Sequence, residues 1–135
     1  MKLLALALLS ASLLLPVASQ AEDTAASPLK LKQSTLRYDC AKGPARTLAV
    51  TRITTGASGG GAPEFVVVNL QGRRYGLAPA ISGSGVRYVG LLGTDPGHGM
   101  EWWEKGDEGT LSSFDNNDPK AEPQVLMGDC RMRRR

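Results

Sequence analysis

Histidine is almost missing from this chain: His98 is the only one in 135 residues. The commonest general base and the commonest metal ligand go with it. Cysteine is nearly as scarce, with Cys40 and Cys130 alone, and no C-x-x-C spacing that would suit a zinc ribbon or a redox pair. There is no H-E-x-x-H and no Walker loop, and no group of His, Cys and carboxylates is spaced for a metal. Aromatic residues make up 5% of the chain, and the basic character is a tail rather than a stripe over one face, which argues against a nucleic-acid face. Outside the first residues, no stretch combines helix caps with a 3.6-residue apolar period, so a helical bundle is excluded. These absences predict a protein with no cofactor, no metal and no enzymatic activity.

The two ends of the chain are distinct from its middle. Lys2 precedes a Leu- and Ala-rich run from Leu3 to Leu15, shorter than the roughly 20 residues of a spanning helix. Ser19 and Ala21 then supply the small residues of a signal-peptidase site, so 1–21 reads as a signal peptide, with Glu22 as the mature start. No cysteine lies at the cut, which argues against a lipid anchor and predicts a soluble exported protein without a stable membrane anchor. Residues 22–33 lack a long apolar pattern and read as a flexible leader. At the other end, Arg131, Arg133, Arg134 and Arg135 give a basic tail over 131–135 and account for much of the +3 formal charge. That tail reads as a solvated, frayed end. A weaker alternative is attraction to anionic lipid or cell-wall polymer.

Between these ends, 34–130 is long enough for one core. An even cysteine count in an exported chain reads as a disulfide, Cys40 to Cys130. Closing a loop of about 90 residues is worth about 4–5 kcal/mol in the chain-entropy model. Short strand-like runs separated by turn signals fill the interval: 35–40, 46–53, 64–70, 73–79, 86–92, 100–104, 108–114 and 124–127. Leu48, Val50 and Arg52 are read on different faces of their strand. The Thr54 to Pro63 stretch reads as a flexible Gly/Ser/Thr loop, and Gln71-Gly72 as a compact turn. About eight short strands in succession point to an all-β barrel or sandwich.

Two words in the second half place polar groups on glycine-rich backbone: Ser82-Gly83-Ser84-Gly85-Val86-Arg87-Tyr88 and Trp102-Trp103-Glu104-Lys105-Gly106-Asp107-Glu108. Ser84 lacks the glycine spacing and following helix of a nucleophile elbow. Gly83 and Gly85 let the backbone around Ser84 approach another surface, because no Cβ intervenes. Arg87 is expected to tie the loop to carbonyls, and Tyr88 to pack on the barrel. Adjacent tryptophans in a strand point to opposite faces, so one is expected inside and the other outside as an anchor. Lys105-Gly106-Asp107 reads as the following turn, with Lys105 on a rim. Glu101, Glu104, Asp107 and Glu108 read as solvated carboxylates, with Glu108 either capping the turn or pairing with Arg87.

These words, with Tyr38-Asp39-Cys40, the hairpin from Val66 to Leu77 and Cys130, resemble the bacterial inhibitors of C-type lysozyme, the periplasmic or membrane-bound proteins of Gram-negative bacteria that blunt host defence. The resemblance implies an eight-stranded antiparallel β-barrel with one disulfide. It implies that Ser84 and Lys105 enter the lysozyme active-site cleft and block its catalytic carboxylates, with Gly83, Gly85, Arg87, Tyr88, Trp103 and Gly106 in the lysozyme-binding site. It places the chain in the periplasm, with lysozyme as its protein partner. The chain departs from the family's pattern in the Gly93–Gly99 insert, in Gly109 where Ala is usual, and in the long loop before Pro63. The alternative reading is an envelope β-barrel that binds a small ligand or the cell wall.

Overall fold

A computed structural model describes residues 31–55 and 65–134. The expected signal peptide, most of the leader and the core of the Thr54–Pro63 loop lie outside these residues. The described chain forms eight strands: β1 Leu31–Lys42, β2 Thr47–Thr55, β3 Phe65–Leu70, β4 Arg73–Ala80, β5 Val86–Gly90, β6 His98–Lys105, β7 Glu108–Asp115 and β8 Gln124–Met132. Each pairs antiparallel with its neighbour in sequence, and β1 pairs with β8, so the sheet closes into a barrel rather than a sandwich.

Alternation along the strands supplies the interior. Leu48 and Val50 of β2, Val66 and Val68 of β3, Tyr75 and Leu77 of β4, and Met100 and Trp102 of β6 are all buried. Tyr38 and Trp102 meet edge to face, with ring centroids 4.9 Å apart, a favoured aromatic geometry. Side chains this large fill a barrel of eight short strands. A hollow of about 820 Å³ lies outside it, lined by Gln33–Arg37 and Met132–Arg134.

Turn chemistry sets the register. Gln71 and Gly72 have φ of 50° and 81°, the paired positive angles of a two-residue hairpin turn matched to strand twist. Cys40 and Cys130 face each other across the β1–β8 ladder and form the disulfide, which ties the first strand to the last.

Several expectations need correction. Leu31, Lys32 and Gln33, read as leader, are strand residues paired with Thr55, Thr54 and Ile53. β5 stops at Gly90, short of Leu92, and β6 starts earlier, at His98. Leu48, Val50 and Arg52 share one face, and Arg52 turns inward to Glu104. β8 continues through Cys130 to Met132, so the first two residues of the basic tail are strand. The described arginines of the tail are paired: Arg131 with Glu108, Arg133 with Asp39 and Arg134 with Asp107. Those carboxylates sit on neighbouring strands and a turn, and they turn a run of like charge into a set of local pairs.

Candidate functional site

The up-and-down topology puts the two words at one end of the barrel. β5 begins at Val86 and β6 ends at Lys105, and the last pair of their ladder is Val86 with Glu104. Gly85 and Lys105 are therefore the next residues on the two sides. The β5–β6 connection, which carries the Gly93–Gly99 insert, lies at the opposite end and does not separate the words.

The backbone of the loop is fixed at several points. Gly85 has φ of +69°, and a Cβ there would lie 2.2 Å from the Glu104 carbonyl oxygen. The loop can press against β6 only because this residue is glycine. The Ser84 carbonyl accepts from Trp103 Nε1 at 2.8 Å and from Ser82 Oγ at 2.6 Å. Arg87 donates to the Ile81 carbonyl at 3.4 Å, as expected of its tie to the loop, and to Glu101 at 2.5 Å. Glu101, not Glu108, is thus the partner of Arg87. Gly83 stands in open space: a Cβ there would meet nothing within 4 Å.

Lys105 follows from the alternation of β6. Trp102 and Glu104 point inward, while Trp103 and Lys105 are exposed. Gly106, with φ of +61°, opens the two-residue turn into β7 and leaves Lys105 on the rim. Among the described residues, neither the Ser84 hydroxyl nor the Lys105 ammonium has a hydrogen-bond or ion-pair partner. Tyr88 is fully buried in the core; it supports the start of β5 from within and is not part of the exposed rim.

Beneath the rim lies a polar cluster that the sequence reading missed. Glu104 is 5% exposed. Its Oε1 accepts from Trp102 Nε1 at 2.5 Å and from Tyr38 Oη at 3.3 Å, and its Oε2 accepts from Arg52 Nη2 at 2.5 Å. Burial and then the Glu104 charge push the Tyr38 phenol well above its usual range, and the same two causes raise Tyr88. The sequence carried only a partial signal, the strand phase. Glu104 lies two residues from Trp102, on the same face of the strand, and Arg52 falls in phase with Leu48 and Val50.

The barrel is filled by large side chains, and Ser84 and Lys105 stand exposed at one rim. The family described as membrane-bound lysozyme-inhibitor of c-type lysozyme matches residues 38–120, and the chain belongs to this family. The match takes in both words and Cys40 and stops short of Cys130. No curated protein matches the chain.

Proposed function

We propose that this protein is an exported, periplasmic inhibitor of C-type lysozyme that acts without catalysis, by placing Ser84 and Lys105 in the enzyme's active-site cleft. The observation that carries this reading is the placement of Ser84 and Lys105 at one rim, both exposed and both without a partner among the described residues. Lysozyme works with one protonated and one ionised carboxyl group. A hydroxyl can donate to either, and an ammonium neutralises the ionised one. Bonds of this charge-assisted kind are strong where water is excluded. Gly83, Gly85 and Gly106 let the rim approach closely, and Arg87 and Trp103 border it. The large buried side chains that fill the barrel disfavour the small-ligand reading at its interior, and among the described residues the pairing of Arg131, Arg133 and Arg134 with carboxylates weakens the cell-wall reading.

The test is peptidoglycan lysis by a C-type lysozyme, titrated with the oxidised protein, with a G-type lysozyme in parallel. Inhibition near one-to-one stoichiometry is expected for the C-type enzyme only. Ser84→Ala and Lys105→Ala are each expected to weaken it about ten- to hundredfold, the equivalent of about 1.5–3 kcal/mol for a charge-assisted hydrogen bond. Neither should shift the melting temperature. Wild-type inhibition by both variants would refute the assigned contacts, and no inhibition at large excess would refute the function.

A further inference from the structure

We propose that Trp103 is a positioning residue for Ser84: its indole N–H holds the Ser84 carbonyl and so fixes where the Ser84 hydroxyl points. The inference rests on the reading of Ser84 as an inserting residue. The loop from Ile81 to Gly85 joins two strands without regular structure of its own, and a Cβ added at Gly83 within it would meet nothing within 4 Å. Left to itself, such a segment samples many backbone states. Trp103 has no comparable freedom. It sits within β6, paired with Arg87 on one side and Thr110 on the other. The neighbours Trp102 and Glu104 are both buried.

The 2.8 Å bond from Trp103 Nε1 therefore joins a fixed strand to a loop that needs fixing. It acts from outside the barrel, and it is close to Gly85 as well: a Cβ at Gly85 would meet both the Glu104 carbonyl oxygen and Trp103 Nε1. With the Ser82 hydroxyl, it gives the Ser84 carbonyl two donors, as many as its lone pairs accommodate. A loop ordered before the encounter loses less entropy on binding. Trp103 is 36% exposed, but the one polar atom of its ring is already committed to the loop. Trp103 then acts through Ser84 rather than by a polar contact of its own with the partner.

A double-mutant cycle on inhibition of a C-type lysozyme tests this, using the oxidised protein with Trp103→Phe, Ser84→Ala and both together. Trp103→Phe keeps a ring and removes the N–H. It is expected to weaken inhibition about three- to tenfold, the scale of one neutral hydrogen bond. In the Ser84→Ala background the same change should cost less than about twofold, because the side chain being positioned is gone. Equal penalties in both backgrounds, or no penalty for Trp103→Phe, would overturn the inference while leaving the role of Ser84 intact. A Ser84→Ala variant that inhibits like wild type would instead remove the reading beneath it. Amide order parameters of Gly83, Ser84 and Gly85 in the free protein give a second, activity-independent readout. They should fall in Trp103→Phe, and unchanged values would also overturn the inference.

Discussion

Gly83 and Gly85 stand two positions apart in one loop, yet the structure asks different things of them. Gly85 holds a left-handed backbone angle, and a side chain there would run into the Glu104 carbonyl. Backbone cannot swing aside as a flexible side chain can. Gly85→Ala is therefore expected to cost about 1–3 kcal/mol of stability and to weaken inhibition by lifting Ser84 off β6. Gly83 has open space and no such angle, so Gly83→Ala should stay within about 0.5 kcal/mol of wild type. Thermal unfolding of the two variants checks this, and equal melting temperatures would contradict it. Gly109 follows the same logic. A Cβ there would lie 2.3 Å from the Trp102 ring, so the indole leaves no room for a side chain at 109.

Strand β6 organises the rim because its two faces have separate tasks. Its inward residues, Met100, Trp102 and Glu104, build the core and its polar cluster; its outward residues, Glu101, Trp103 and Lys105, hold and present the loop. Removing the buried carboxylate strands the Arg52 guanidinium and the Trp102 and Tyr38 donors. Glu104→Ala is expected to destabilise the barrel by about 3 kcal/mol, the cost of breaking a buried charge pair from one side. Glu104→Gln, which keeps the volume and an acceptor for Trp102, should cost less. Chemical denaturation of both variants measures the difference, and an Ala variant as stable as wild type would show that the cluster contributes nothing net. This cluster also marks where sequence reading stopped. All eight strands were legible, because period-two alternation and turn residues are local signals. The opposed tryptophans and the tie from Arg87 to the loop were legible for the same reason. The burial of Glu104 was not, since it depends on Tyr38 and Arg52, far away in sequence, and four neighbouring carboxylates look alike until the barrel closes. The true end of β8 was hidden similarly. A run of arginines reads as unpaired until Asp39, Asp107 and Glu108 are brought beside it; the side chains stay exposed, but each has a carboxylate partner.

Closure of the whole sheet makes these distant groups one unit, and its response to pH should show it. Tyr38 and Tyr88 are both fully buried, and their phenols are held above the usual value by burial and by the Glu104 charge. In the unfolded chain they ionise near pH 10. Below that pH both states keep these protons and the two groups add no pH dependence. Above it the unfolded chain releases protons that the folded barrel retains, so stability falls as pH rises toward the folded values. On the acid side the sign reverses. The hydrogen bond from Arg133 lowers Asp39, and the Asn117 backbone N–H lowers Asp115. Their contribution is present above the ordinary carboxylate range and is lost as pH falls through it. Both carboxylates are on the surface, where solvent keeps the effect small. The alkaline limb should therefore be the sharper one. Ionisation of Tyr38 and Tyr88, followed by tyrosinate absorbance, should coincide with loss of near-ultraviolet circular dichroism well above pH 10, in a single cooperative step. Resonance-resolved titration of either phenol near pH 10 with the fold intact would mean that the rim end of the barrel opens to water, and that the Glu104 cluster is looser than its hydrogen bonds indicate.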